Sequence, residues 1–216
     1  MEKQTLTGRL SRNSLEAFSE LLDVYVPLVS RTSYRIMCDR ADSEFITVSV
    51  MLSMWNDRMS FRDDMPLMQE LLRRTCRSCR RRLFRRRILM LMSIDPDVFV
   101  AASPVVPSYD EYIARQAWQI YCRASADFSD RQRFAYTLCE LGGLSLASAA
   151  EVSGFRVSNL HAALAEARAA VKEGLAMYGK IGDYEAYVGF LRRVKDQLTD
   201  KVGLKRRIMG FVSVTE

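Results

Sequence analysis

Histidine and long apolar runs are scarce in this sequence, and their scarcity excludes several classes of protein. His161 is the only histidine among 216 residues, so no catalytic or metal site with two histidines can be assembled. We find no glycine-rich phosphate loop and no evident cleft pair of carboxylates, and we expect no enzyme activity, cofactor or metal. No charge-free apolar run reaches 18 residues, so no membrane insertion is predicted. The polar start MEKQTLTGRLSRNS also lacks a signal-peptide core.

The five cysteines are odd in number and mostly isolated, which is typical of a reduced, cytoplasmic protein. Cys76 and Cys79 form a Cys-x-x-Cys pair inside a predicted helix. A structural zinc site needs about four ligands, and neither a second cysteine pair nor a cluster of histidines accompanies this one. We therefore interpret the pair as two small, partly buried thiols.

Positive charge is concentrated at the two ends of a chain whose net formal charge is +6. Residues 1–92 contain 17 Lys and Arg against 11 Asp and Glu, residues 93–179 contain 7 against 10, and residues 180–216 contain 8 against 5. A basic first block followed by a weakly acidic second block indicates that only part of the chain is built to meet a polyanion.

The apolar residues of the first block recur with the 3.6-residue period of helices, and no alternating strand pattern is evident. Ser14 is placed to cap a first helix, and Pro27 is expected to start the next one because proline is tolerated in a first turn. A third helix is predicted from about Asp42 to Met59. A fourth, long helix should begin near Pro66 and carry a run of arginines to about Met92.

A change of composition separates two helical sets. Residues 93–108 hold three of the five prolines and almost no charge, which is typical of a linker. Helices are then predicted at about 109–126, 130–141, 146–153, 157–178 and 184–199, with stops at Gly142-Gly143 and at Gly154. The helix, glycine-containing turn and helix at 144–176 form a helix-turn-helix pattern. The predicted organisation is therefore a helical domain at 1–92, a linker at 93–107, a helix-turn-helix domain at 108–177 and a helical extension at 178–216.

The second domain carries the clearest family resemblance. Its segment FSDRQRFAYTLCELGGLSLASAAEVSGFRVSNLHAALAEARAAV resembles conserved region 4 of the extracytoplasmic-function (ECF) RNA polymerase sigma factors. Phe128-Ser129 replace a Leu-Pro start. Gly143–Ser145 then match "Gly-Leu-Ser", and Ala149–Gly154 match "Ile-Ala-Glu-x-Leu-Gly" without a gap. Leu160, Leu164, Ala167 and Arg168 continue this register.

The first domain resembles region 2 of the same family. Phe18 and the segment Tyr25–Pro27 fit its opening helices. Ser43-Glu44, with Leu52 and Trp55, fit the pattern "Ala-Glu-Asp-x-x-Gln-Glu-x-Phe-x-x-x-Trp", and LLRRTCRSCRRRLFRRR fits the basic helix that follows. The resemblance covers residues 14–92 and 108–176. It implies an all-α fold of two small domains, a region 2-like one and a region 4-like one, joined by a linker.

The resemblance also implies a polymerase-binding face on the third helix, at Glu44, Phe45, Val48 and Ser49. The family has Asp, Gln and Glu where Phe45, Val48 and Ser49 stand, so three polar contact groups have become apolar or small. Two interpretations are open. The contact with polymerase has changed, or this face is buried against the tail of the chain itself.

The resemblance also implies contacts with DNA in two helices. One is the predicted fourth helix, which carries the arginine run and is called the arginine helix, and the other is the start of the predicted helix 157–178, the recognition helix of the helix-turn-helix. Arginine gives permanently charged, bidentate contacts to phosphate; the alternative is a solvated helix end with salt bridges. In the recognition helix the family's cations fall at His161, Ala163 and Glu166, and alanine offers no hydrogen bond to a base edge. The candidate DNA-binding residues are Arg73, Arg74, Arg77, Arg80, Arg81, Arg85, Arg86, Arg156, Asn159 and His161.

Two functions follow from these observations. The first is an ECF sigma-like regulator that binds RNA polymerase core, promoter DNA or both in transcription initiation. The second is a degenerate sigma-like protein that acts as a negative effector through contacts with another sigma factor, an anti-sigma factor or polymerase. The arginine helix and the order of motifs favour the first. The altered third helix, the alanine-rich recognition helix and the acidic second block favour the second.

Overall fold

A computed structural model describes residues 5–62, 65–91, 109–178, 183–193 and 201–214. Every regular element within these ranges is helical, as the all-α prediction requires. The helices are α1 (Leu6–Leu10), α2 (Leu15–Met37), α3 (Arg40–Asn56), α4 (Leu67–Leu91), α5 (Tyr109–Ala124), α6 (Asp130–Ala135), α7 (Leu146–Ser153), α8 (Val157–Tyr178), α9 (Tyr184–Arg193) and α10 (Lys201–Val214), with a 3-10 turn at Arg58–Ser60 and a π-helical segment at Tyr136–Leu141. None of these helices is both long and apolar enough to cross a membrane.

The chain forms two compact units. The first unit comprises Met1–Cys79, Glu151–Gly154 and Asp196–Glu216, and the second comprises Arg80–Ala150 and Phe155–Lys195. The chain therefore passes from the first unit to the second within α4. The predicted linker, 93–107, lies outside the described residues, and the domain boundaries stay predictions.

Helix α2 runs through Pro27, so the expectation that Pro27 starts a new helix is wrong. Ser14 caps this helix as predicted, since its hydroxyl accepts a hydrogen bond from the Ala17 amide at 3.1 Å. Proline removes the hydrogen bond to the carbonyl of Asp23, but Asp23 is exposed and water can solvate that carbonyl. Burial of apolar residues on both sides of Pro27, such as Leu22 and Val29, keeps the helix continuous.

Small hydroxyl-bearing residues allow α2 and α3 to pack closely in the first unit. Ser33 and Ser43 are buried, and their hydroxyl oxygens lie 2.9 Å apart. Ser43 also donates to the Ser30 carbonyl at 3.1 Å, so these buried hydroxyls are satisfied. Asp39 caps α3 by accepting a hydrogen bond from the Asp42 amide at 2.7 Å, so the helix begins at Arg40, two residues before the predicted start. The α2–α3 pair is thus a fixed platform for the surfaces described below.

The thiols of Cys76 and Cys79 are both fully buried in α4. Burial raises the pKa of the Cys79 thiol well above its ordinary value, and the neighbouring Cys76 adds to this effect. A protonated, enclosed thiol is a poor metal ligand. The pair therefore contributes to packing in this helix, as interpreted from the sequence.

Aromatic residues form the core of the second unit. Tyr121 and Tyr136 stack with their ring centroids 5.5 Å apart, and the hydroxyl of Tyr187 on α9 donates to the Ala117 carbonyl at 2.9 Å. Burial raises the pKa of both Tyr136 and Tyr187. Helices α5 and α8 approach closely at Gly174, where an added Cβ would lie 3.1 Å from the Cβ of Ala124.

The start and stop signals of the helix-turn-helix are confirmed. Ser129 and Gln132 form a reciprocal capping box at the start of α6. Gly143 and Gly154 adopt positive φ angles of 69° and 73° after the π-helical segment and after α7. Ser145 accepts a hydrogen bond from the Ser148 amide at 3.1 Å and thereby caps α7.

The described residues of the predicted C-terminal extension include two helices. Helix α9 belongs to the second unit, where it packs on α5. Helix α10 belongs to the first unit, where it packs on both α2 and α3. The helix predicted at 184–199 is observed as Tyr184–Arg193, and residues 194–200 lie outside the described ranges.

Candidate nucleic-acid interface

Four arginines of α4 are exposed and five are half-buried, and one of the exposed four, Arg87, pairs with the Asp130 carboxylate at 2.5 Å. Arg77, Arg81 and Arg85 are exposed and recur every fourth residue, so they lie along one face of the helix. Within the part of the chain that the structure describes, their guanidinium groups form no ion pair or hydrogen bond. We call these three residues the α4 arginine row.

An exposed aromatic residue interrupts the α4 arginine row. Phe84 is 63 % exposed, and Ile88 is exposed one turn later. Both share the face of the row because they follow Arg81 by three and seven residues. The sequence contains the signal for this site, an aromatic residue inside an arginine run. The sequence alone does not show which side of α4 faces solvent. The structure shows it, because Cys76, Cys79 and Leu83 on the opposite face are buried.

Arg73 and Arg74, at the start of α4, are engaged in local ion pairs. Arg74 contacts the Asp57 carboxylate at 2.6 Å and the Glu70 carboxylate at 2.8 Å. Arg73 contacts the other oxygen of Glu70, also at 2.8 Å. These two arginines fit the salt-bridged alternative better than a DNA contact, because their charge is already balanced.

Arg80 and Arg86 are half-buried, and each takes part in other interactions of the described residues. They lie off the face of the α4 arginine row. The structure therefore singles out three of the seven arginines that were predicted on this helix.

The exposed face of the recognition helix α8 mixes polar side chains with alanines. Arg156, Ser158 and His161 are exposed and Asn159 is half-buried. Ala162, Ala165 and Ala169 are exposed on the same helix, together with Glu166, Lys172 and Glu173. Methyl groups can contact a thymine methyl but cannot read the other bases. These three alanines therefore contribute little to sequence readout.

Two positions of α8 aligned with cations of the sigma family are now placed. Ala163 is 5 % exposed and packs inward, so this position does not face solvent. Glu166 is exposed and accepts a hydrogen bond from the side-chain amide of Gln132 at 3.0 Å. An arginine at 163 would disrupt the core, because a charge buried without a partner is costly.

Positions 44–49 of α3 differ in exposure. Phe45 is 53 % exposed, whereas Val48 is buried and Ser49 is half-buried. The carboxylate of Glu44 contacts Arg40 at 2.8 Å and Arg207 of α10 at 3.6 Å. Two interpretations of this face were open from the sequence, a changed polymerase contact and burial against the tail of the chain. The second accounts for the surroundings of Glu44, because Arg207 belongs to the tail helix α10. Phe45 is the position that still presents a large side chain to solvent.

The second unit contains an ion pair that fixes the π-helical segment to α8. Arg168 pairs with Glu140, whose side chain is almost buried. Arg192 of α9 donates to the Glu140 carbonyl at 2.6 Å. These contacts hold α8 and α9 against the π-helical segment.

Comparisons with known proteins identify the fold but not a close relative. No protein-family model matches the sequence, and no curated protein is similar to it. Several solved structures are similar, and two of them serve as examples. CnrH, solved in complex with the cytosolic domain of CnrY, has 18 % identity and a TM-score of 0.57, over 81 % of this chain and 97 % of that one. The sigma factor RpoE of Bartonella quintana, solved with the anti-sigma factor NepR, has 20 % identity and a TM-score of 0.56, over 75 % of this chain and 98 % of that one.

Both TM-scores are above 0.5, and both structures match three quarters or more of this chain. At this level of identity they show the fold alone. The chain has an ECF sigma-like fold.

Proposed function

We propose that this chain is a non-catalytic, ECF sigma-like regulator of transcription that binds nucleic acid through the α4 arginine row. The observation that carries the proposal is the row itself, three exposed guanidinium groups with an aromatic side chain among them. Packing alone does not favour such a row, since like charges at this spacing repel each other. A polyanion would relieve that repulsion.

The geometry of the row suits a single strand of nucleic acid. Guanidinium groups can each bind a phosphate through two hydrogen bonds. Phe84 lies among them and offers a flat face on which a base can stack, which is the usual combination in proteins that bind single strands. We therefore expect α4 to bind single-stranded DNA at least as well as duplex DNA.

RNA polymerase core is the proposed protein partner, and α3 is the proposed contact. Phe45 supports this choice because it presents an apolar ring to solvent on a helix that is otherwise well packed. Glu44 and Ser49, both half-buried, flank Phe45 on the proposed face, and the buried Val48 supports it from the core side. Both similar structures were solved with a second protein, and we include an anti-sigma factor among the proposed partners.

A second candidate function is a negative effector that binds a sigma factor or polymerase without reading a promoter. The observation that favours it is the exposed face of α8, where Ala162, Ala165 and Ala169 provide no hydrogen bonds to base edges. In this case α8 contributes no sequence preference, and binding to DNA stays non-specific.

Titration of the full chain against labelled DNA tests the proposal. Fluorescence anisotropy with single-stranded, promoter and scrambled duplex DNA should show binding that weakens steeply with salt. Absence of binding at low salt would refute a nucleic-acid function for α4. Equal affinity for promoter and scrambled duplexes would favour the negative effector. A clear preference for the promoter would favour an initiation factor.

A further inference from the structure

Helix α10 occupies the surface that α2 and α3 present together in the first unit. Leu204, Ile208 and Val212 are almost completely buried, with 2 %, 0 % and 0 % exposure. They recur every fourth residue and therefore form one apolar stripe along the helix. The opposite side of α10 is exposed and includes Val202 and Arg206. The α2–α3 surface thus accepts an amphipathic helix through a single narrow face.

Charges at the edges of this surface complement α10. Lys205 of α10 contacts the Asp23 carboxylate of α2 at 2.6 Å. Arg207 contacts the Glu44 carboxylate of α3 at 3.6 Å. Acidic groups on both supporting helices therefore meet basic groups that flank the apolar stripe. This pattern selects a basic amphipathic helix in preference to an acidic one.

The sequence of α10 makes a weak helix by itself. The helix has 14 residues and contains Gly203 and Gly210, and glycine lowers helix stability more than any residue except proline. Isolated helices of this length are marginal in water even with good helix formers. Its helical form therefore depends on docking, so undocking and loss of helix are coupled.

We infer that the α2–α3 surface is a helix-docking site, that α10 fills it within the same chain, and that a partner protein binds there by displacing α10. The expected partner segment is an amphipathic helix with aliphatic residues at every fourth position and Lys or Arg beside them. Such a segment reproduces both the stripe of Leu204, Ile208 and Val212 and the pairing with Asp23 and Glu44.

Attachment to the same chain gives α10 an advantage over a free competitor. A tethered segment binds at a high effective concentration, so a free helix of similar intrinsic affinity competes poorly. A partner must therefore bind more tightly than α10, or another event must weaken α10 first. This makes the site a regulated one. The inference concerns docking alone and does not depend on the proposed nucleic-acid or polymerase binding.

A peptide-binding assay tests the inference in the full chain. The probe is a fluorescein-labelled peptide of residues 200–216, and the proteins are the natural chain, Ile208→Asp and the matched control Val202→Asp. Ile208 is completely buried, whereas Val202 on the same helix is 69 % exposed. We expect Ile208→Asp to undock α10 and to bind the peptide at least tenfold more tightly than the other two chains. A peptide that itself carries Ile208→Asp should not bind.

Two results of this assay would overturn the inference. The first is equal peptide affinity for all three chains. The second is no binding to an Ile208→Asp chain that keeps the helical circular dichroism of the natural protein.

Hydrogen exchange in the natural chain provides a test that needs no variant. Amides of Leu204–Val212 should exchange through a local opening that leaves α2 and α3 protected, and excess unlabelled peptide should increase that opening. Exchange of α10 only together with α2 and α3 would show that it is an integral part of the core, and would overturn the inference.

Discussion

Replacement of the α4 arginine row by alanine is the sharpest test of the proposed nucleic-acid surface. Arg77, Arg81 and Arg85 are separated by four residues each, about 6 Å of helix rise, so the row spans about 12 Å. One DNA strand presents a phosphate every 3.4 Å or so along the axis, about three or four phosphates over that length. Each arginine of the row can therefore meet its own phosphate.

The expected effect on salt dependence follows from counterion release. Each lost phosphate contact lowers the log–log salt slope by about 0.9 for duplex DNA and about 0.7 for a single strand. The triple variant should therefore lose about 2.7 or about 2.1 from the slope. Between 50 and 200 mM salt, a change of 2.7 corresponds to roughly a 40-fold smaller decrease in affinity. All DNA sequences should be affected alike, because phosphates carry no sequence information.

The assay is an anisotropy titration at several salt concentrations with a charge-matched control. The control variant replaces Arg12, Arg131 and Arg206, which are exposed and lie outside α4. Both triple variants remove three charges from a chain of net +6, so a general charge effect would change both slopes equally. An unchanged slope in the α4 variant, or an equal decrease in the control, would refute the assignment of the row to phosphate contacts.

The other structural predictions can be tested with single substitutions or a pH titration. Phe84→Ala should weaken single-strand binding by about 1–3 kcal/mol, because it removes the stacking of one base. The salt slope should stay unchanged, since no charge is lost. An affinity equal to that of the natural chain would argue against stacking. Ile46→Ala should lower the free energy of unfolding by about 2–5 kcal/mol, whereas its exposed neighbour Phe45→Ala should change it by less than about 0.5 kcal/mol; similar values in urea titrations would contradict the assigned face of α3. Above about pH 10 the unfolded chain releases the protons of Tyr136 and Tyr187 while the folded chain retains them, because burial raises their pKa. The unfolded state then binds fewer protons, so stability should fall as pH rises, by up to about 1.4 kcal/mol per pH unit for each phenol. Absorbance at alkaline pH should show these two phenols ionising only with unfolding, and ionisation near pH 10 in the folded chain would contradict their burial.

Local signals in the sequence predicted the helix boundaries in and around the helix-turn-helix. Ser129, Gly143 and Gly154 act where the sequence places them because caps and positive φ angles depend on the residue and its immediate neighbours. The π-helical segment Tyr136–Leu141 was not predicted. Its form depends on the tertiary packing of Tyr136, which no local pattern encodes.

Continuity of α2 through Pro27 could not be predicted for a related reason. A proline interrupts one hydrogen bond, and the outcome depends on whether buried residues on both sides outweigh that loss. The burial of Leu22 and Val29 depends on tertiary packing, which the local sequence around Pro27 does not show.

The candidate site was predicted in composition but not in detail. The sequence shows an arginine run, yet its arginines surround the helix, and only burial of the opposite face selects Arg77, Arg81 and Arg85. In the same way, burial of the third helix against the tail of the chain was one of two interpretations open from the sequence, but docking of α10 on α2 and α3 together was not predicted. Which surface an amphipathic helix covers is decided by the complementary surface, here with Asp23 and Glu44 at its edges.

Binding to RNA polymerase core is the measurement that tests the proposed sigma-like function most directly. Purified core enzyme should be mixed with the natural chain, with Phe45→Glu and with Ile208→Asp, and complexes separated by gel filtration. We predict that the natural chain co-elutes with core polymerase and that Phe45→Glu weakens this association at least tenfold, since a charge replaces the exposed apolar ring of α3. If neither the natural chain nor the Ile208→Asp chain, in which α10 should be released, co-elutes with the core enzyme, the proposed role in transcription initiation is contradicted.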